Sequence, residues 1–138
     1  FSGPSGTGKS THTGLWHELY DVPLFNGDLN VIGIRDNIPM VYGLPWCGTS
    51  GINTTGEYPL GGIVFLKQAP ENHVIIPDEP EKAFMLMQRL ISPIWDAEQL
   101  EEQAAFCEAM AAIAPILSLH CTKENEAAET MKLAIDQL

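Results

Sequence analysis

Positive charge is what this sequence has least of. Seven lysines and arginines stand against 18 aspartates and glutamates, for a formal net charge of −11. That sign repels phosphodiester backbones and anionic bilayers, so a nucleic-acid surface and a membrane-surface protein are set aside. Long apolar runs are missing too. No stretch approaches the roughly 18 residues that a spanning helix needs, and none reads as a signal segment. Cysteine is sparse. Cys47, Cys107 and Cys121 are odd in number and share no metal-ligand spacing, which reads as reduced thiols in a cytoplasmic protein. Internal repeats and low-complexity tracts are also lacking. The chain has 138 residues, enough for one domain with a real core, spanning 1–138.

What is present begins almost at once. Gly3-Pro4-Ser5-Gly6-Thr7-Gly8-Lys9-Ser10 is a complete G-x-x-x-x-G-K-[ST] phosphate-binding loop, followed by a helical stretch from Thr11 to Tyr20. A polyphosphate carries several negative charges and many acceptor oxygens. A loop holds it when consecutive backbone N–H groups point inward, which needs φ values that glycine adopts cheaply. Gly3, Gly6 and Gly8 supply that freedom, and Pro4 and Ser5 stiffen the turn. The following helix aims its positive end at the phosphates. Lys9 is expected on the β- and γ-phosphates. Ser10, with Thr11 as the second choice, is expected on Mg²⁺. The ligands this predicts are ATP and Mg²⁺. A phosphate loop also follows a strand, and Phe1 is not a methionine. The expectation is a longer chain whose N-terminal strand lies outside this sequence.

Further along, Val22–Phe25 reads as a strand ending at Asn26-Gly27-Asp28. Asn30–Arg35 and Pro39–Tyr42 read as two strands turned by Asp36-Asn37. Residues 43–62 form a polar loop with Trp46 and Tyr58 embedded, long enough to be functional. Ile63–Leu66 is a buried strand by its continuous apolar run, and Val74–Ile76 a short one. Asp78 and Asp96 each cap a helix, with Glu81 and Gln99 as third residues of capping boxes. The first of these helices shows Phe84, Met87, Leu90 and Ile91 on its apolar face. The second shows Leu100, Ala104, Cys107, Met110 or Ala111, and Ala114. Ile116–Leu119 is a strand, and Lys123–Leu138 a last helix with Ala127, Met131, Ile135 and Leu138 inward. This order departs from βαβ alternation and predicts a mixed sheet flanked by helices in an α/β fold.

Few other residues are candidates for chemistry. Asp28 stands 18 residues after Ser10 at a strand end, where a carboxylate can hold Mg²⁺ or act on an acceptor hydroxyl; Asn-Gly-Asp is also good turn chemistry. His12, within one turn of Lys9, can serve proton transfer or a structural hydrogen bond. His17, His73 and His120 read as structural or solvated. Glu57 and Lys67 can reach a site if the long loop closes over it, or lie in solvent. Trp46 and Tyr58 can stack on a base or a peptide, or anchor the loop. With so few basic side chains, charge neutralisation falls to the metal unless an arginine comes from elsewhere.

The G-x-S-G-x-G-K-S form of the loop, the element Gly27-Asp28-Leu29 after the next strand, and the closing strand–helix pair together resemble the nucleotide-binding domain of HPr kinases and phosphoenolpyruvate carboxykinases. Gly43-Leu44-Pro45-Trp46-Cys47-Gly48 and Pro59–Leu66 look closer to HPr-kinase-related bacterial proteins. The resemblance implies that fold, MgATP, a homo-oligomer, and phosphate transfer to a hydroxyl of a small protein or peptide. HPr kinases carry two aspartates where this chain has Gly27 and Asp28. The departure keeps a second reading open, a nucleotide-dependent regulatory or binding protein with slow or no turnover. Carboxykinase chemistry is weaker, because the chain is short and poor in basic residues.

Overall fold

Strands β4 (Ile63–Gln68) and β6 (Ile116–Cys121) lie side by side in parallel register, with Val64 opposite Leu117 and Leu66 opposite Leu119. The computed structural model describes residues 1–48 and 50–138. β5 (His73–Ile75) pairs antiparallel with the other side of β6, so this sheet is mixed, in the order β4-β6-β5. A second sheet, all antiparallel, joins β1 (Val31–Arg35), β2 (Ile38–Tyr42) and β3 (Glu57–Pro59) in that order. Four helices complete a small mixed α/β protein: α1 (Lys9–Tyr20), α2 (Glu79–Met87), α3 (Ala97–Ile113) and α4 (Asn125–Ile135).

Why β4 is apolar without interruption follows from the layers. Successive side chains of a strand point to opposite faces, and here both faces are covered. Val64 and Leu66 pack with Leu117, Leu119, Cys121, Ala127 and Met131, together with Trp16 of α1. Phe65 and Ile116 pack on the other face with Leu86, Cys107, Met110, Ala111 and Ala114 from α2, α3 and its end. Helices α1 and α4 thus cover one face of the mixed sheet, and α2 and α3 the other. Ile32, Ile34 and Leu60 join the second cluster, which docks the hairpin sheet beside it.

Local chemistry sets the element ends. Asp36 and Asn37 both have positive φ, 52° and 62°, and make the two-residue turn between β1 and β2 that such short polar side chains tolerate. Asp78 Oδ1 accepts from the Glu81 N–H at 2.9 Å, and Asp96 Oδ1 accepts from the Gln99 N–H at 2.9 Å, so both predicted caps are present. Gln99 also reaches back, though to the Trp95 N–H at 2.7 Å.

Four expectations are corrected. Val22–Phe25 forms no strand; Pro23 has no donor, and pairing here is limited to a single bridge between Asn26 and Asn53. The 43–62 loop contains β3, whose Tyr58 lies opposite Val41. On α2 the buried residue is Leu86, while Phe84 is 61% and Ile91 85% exposed. The last helix is shorter than 123–138, and Ile135 and Leu138 lie outside the core. Among the described residues no helix is long and apolar enough to cross a membrane.

Candidate functional site

The glycine-rich loop from Gly3 to Gly8 hangs between a strand position and α1. The Ser2 N–H donates to Val64 O at 2.8 Å and the Leu66 N–H donates to Ser2 O at 2.8 Å, so Ser2 runs parallel beside β4. Gly6 and Gly8 have φ of 77° and 107°, and Gly8 is the residue before the first turn of α1. A Cβ at either position would meet no atom within 4 Å. Glycine is required there by conformation, since the left-handed region penalises any side chain.

This conformation leaves the loop's donors free. The N–H groups of Ser5, Gly6, Gly8, Lys9, Ser10 and Thr11 have no backbone acceptor among the described residues. Three of them open α1, where the helix dipole adds positive potential. The Lys9 ammonium folds over the loop and donates to Gly3 O at 3.0 Å and Pro4 O at 3.1 Å. Thr7 Oγ1 donates to Pro4 O, and Gln68 Nε2 at the end of β4 donates to Gly6 O at 3.1 Å. The loop is thus held in shape by its own side chains and by β4.

A cleft of about 510 Å³ opens on one side of the loop. It is lined by Gly3, Pro4, Ser5 and Lys9, by Asp28, and by Arg89 just beyond α2. The structure therefore brings Lys9 and Asp28 to one cavity. A second cleft of about 580 Å³ flanks the other side, lined by Gly3 to Thr7, Lys67, Gln68 and again Arg89. Arg89 is the residue that sequence reasoning missed. Its position on both clefts follows from the packing of α2 against α3 and Phe65, and its local sequence carries no motif. Ser10 and Thr11 are exposed on the first turn of α1, outside both cavities.

Asp28 is set by its neighbours. Its N–H donates to Asn26 Oδ1 at 2.9 Å, and Asn26 Nδ2 donates to Trp46 O at 2.9 Å and Leu44 O at 3.3 Å. One asparagine thereby ties the Asp28 turn to the long loop. Gly48, with φ 55°, comes so near that a Cβ would lie 2.8 Å from Asp28 Oδ2. A single carboxylate, a hydroxyl and phosphate oxygens are hard oxygen donors of the kind Mg²⁺ takes. Among the described residues there is no cluster of three or more His, Cys, Asp or Glu side chains that would hold a metal without a ligand's help.

The other candidates are distributed elsewhere. His12 is 2% exposed and turned into the core under α1. Its Nε2 lies 3.1 Å from Cys121 Sγ, its Nδ1 has no partner among the described residues, and Phe1 packs on its ring at 5.5 Å. Burial holds its pKa below that of a free imidazole. It lines neither cleft. Its ring supports α1 from beneath, and the proton-transfer role expected of it finds no contact here. Glu57 is engaged by Arg35, Nη1 to Oε1 at 2.7 Å across the hairpin sheet. Lys67 is exposed at the second cleft. His17 Nδ1 contacts Val22 O at 2.9 Å, and His73 stacks on His120 at 4.7 Å. Tyr58 packs edge-on against Phe25 at 5.4 Å, and Trp46 is 69% exposed.

No protein-family model, no curated protein and no solved structure matches this chain.

Proposed function

We propose that this is a MgATP-binding phosphate-loop protein of the HPr kinase/phosphoenolpyruvate carboxykinase type, and that it transfers a phosphoryl group to a hydroxyl of a small protein or peptide. The observation that carries the reading is the loop itself, with N–H donors that have no acceptor among the described residues and the Lys9 ammonium held on its carbonyls. Its donors suit an anion of several charges, and the adjoining cleft leaves room for one.

The roles follow from charge. Loop N–H groups and the start of α1 hold the β-phosphate. Lys9 exchanges the carbonyls of Gly3 and Pro4 for β- and γ-phosphate oxygens. Asp28 in the cleft, with Ser10 from the first turn of α1, would hold Mg²⁺, and the metal would supply charge neutralisation on the phosphates. Arg89, which also lines the cleft, adds positive charge for a transition state that spreads negative charge over the γ-phosphoryl oxygens. Asp28 is one carboxylate and serves one of two tasks, holding the metal or orienting the acceptor.

A second reading, a nucleotide-controlled binding protein with slow or no turnover, draws on one observation. A side chain at Gly27, where HPr kinases carry their other aspartate, would collide with Ser50. Incubation with γ-labelled ATP and Mg²⁺ in cell extract separates the two. Label on a protein or peptide that is lost with Lys9→Ala supports the kinase. ATP binding without Lys9-dependent label supports the regulator. Lys9→Ala should weaken ATP binding by on the order of 1.5–3 kcal/mol, the worth of a charged hydrogen-bonded contact. Unchanged ATP affinity in that variant would sink both readings.

A further inference from the structure

We infer that the second cleft, lined by Lys67 and Arg89, takes an acidic side chain of the acceptor peptide that lies near the reacting hydroxyl in the acceptor's sequence. The inference rests on the phosphotransferase reading and names what selects the acceptor.

Cations are scarce in this chain and unevenly placed. Of the seven, Lys9, Lys67 and Arg89 line the two clefts beside the loop. Arg35 and Lys132 are paired with Glu57 and Asp136. Lys67 and Arg89 have no carboxylate within ion-pair distance among the described residues. The chain carries 18 aspartates and glutamates, yet none of them lines this cleft. Two unpaired cations in a concave site free of acids raise the local concentration of an anion.

The sheet explains how these groups meet. Phe65 packs with Leu86 and Met110 of α2 and α3. Side chains alternate along a strand, so Lys67 shares the face of Phe65. Ser118 lies opposite Phe65 on β6 and lines the same cleft, as does Gln88 at the end of α2. The fork of an arginine matches a carboxylate, and a hydroxyl and an amide can complete that carboxylate's hydrogen bonds.

The neighbouring cleft decides which anion fits. In the proposed function the nucleotide phosphates lie with Lys9 and Asp28, and Arg89 and Gly3 to Ser5 line both clefts. A second phosphate would set two multiply charged anions beside each other, whereas a carboxylate carries a single charge. A segment seated by its carboxylate brings its hydroxyl to the loop that both clefts share. Positioning of this kind supplies much of the rate in phosphoryl transfer.

The probe is a set of blocked heptapeptides with a central serine, alanines beside it, and glutamate two residues away on either side. Matched sets carry glutamine or lysine in place of glutamate. With MgADP saturating the ¹⁵N-labelled protein, the glutamate set should shift the amides of Lys67, Gln68, Arg89 and Ser118. The glutamine set should bind about fivefold or more weakly, as a lost charged hydrogen bond predicts. Lys67→Gln should remove most of that preference, and Lys67→Glu should reverse it in favour of the lysine set. Lys67 is exposed, so both variants should fold and keep ATP affinity within about threefold of the parent. Equal binding of the three sets, shifts centred on α4, or succinate binding as tightly as the glutamate set would each overturn the proposal. So would a loss of ATP affinity in Lys67→Glu as large as in Lys9→Ala, which would put nucleotide phosphate in this cleft. Glutamate-dependent binding without label from γ-labelled ATP leaves the site standing and removes the kinase. Transfer to the glutamine set as readily as to the glutamate set keeps the kinase and removes the site.

Discussion

A Cβ on Gly27 would lie 2.2 Å from Ser50 Oγ and 2.5 Å from Ser50 Cβ. The loop that faces Gly27 therefore leaves no room for a side chain there. Gly27→Asp should not fit without movement of that loop. It should displace the loop around Ser50 and destabilise the fold by about 1–3 kcal/mol, as overpacking does. Gly27→Asp with Ser50→Gly should recover most of that loss. Thermal unfolding of the two variants checks this. A single variant as stable as the parent would show that the contact yields freely.

The loop's glycines give a paired test. Gly8 has φ 107°, whereas Gly14, in the middle of α1, has no positive φ; neither has an atom within 4 Å of an added Cβ. Gly8→Ala should cost about 1–3 kcal/mol through backbone strain and reduce ATP affinity with it. Gly14→Ala should stabilise by about 0.4–1 kcal/mol, because the helix accepts alanine and the unfolded chain loses freedom. Opposite signs are expected from the same chemical change. Equal effects on urea midpoints would refute the conformational account of Gly8.

His12 predicts an acid sensitivity. Burial lowers its folded pKa, so the unfolded chain binds the extra proton first. Stability from the neutral imidazole is fully present above the unfolded pKa of about 6.5 and declines as pH falls below it. His120 shifts the same way, by desolvation first and then by Lys67 and His73, so it contributes in the same sense. Between pH 7.5 and 5.5, His12→Gln and His120→Gln should each lose less stability than the parent, measured as the change in urea midpoint. A parent whose midpoint is flat over that interval would contradict the reading.

How much of this was legible can be argued residue by residue. Val64-Phe65-Leu66 announced a doubly covered strand because each side chain needed its own buried face. Asp36-Asn37, Asp78 and Asp96 announced their turn and caps because those depend on neighbours within a few residues. β3 was hidden, since three residues become a strand only when β2 supplies partners. The inward face of α2 was misread because Phe84 and Leu86 are equally apolar and only the position of α3 chooses Leu86. His12 and Trp16, four apart on α1, carried a signal of a buried stripe; the nearness of His12 to Lys9 in sequence suggested the opposite face. The loop motif and Asp28 each stood out in the sequence, and Gly3, Pro4, Ser5, Lys9 and Asp28 line one cleft. Arg89 did not, because no spacing connects it to either.

Asp28 and Arg89 line one cleft with opposite charges, and their variants should separate metal from phosphate. A carboxylate that holds Mg²⁺ contributes little to ATP bound without metal, and its removal spoils the gain that metal brings. Asp28→Asn should leave metal-free ATP affinity within about threefold of the parent and weaken Mg²⁺ binding by roughly ten- to a hundredfold, the usual cost of a lost supporting contact. Arg89→Ala removes a positive charge from the cleft. It should lower ATP affinity with and without Mg²⁺ by a similar factor, and its effect should shrink as salt rises. Calorimetric titration of each variant, with and without metal, reads both. If Asp28→Asn keeps the full Mg²⁺ gain, the carboxylate is not a metal ligand, and its remaining task is the acceptor hydroxyl. In that case turnover should fall by about 10²–10⁴, the scale of a lost general base, at unchanged Mg²⁺ requirement.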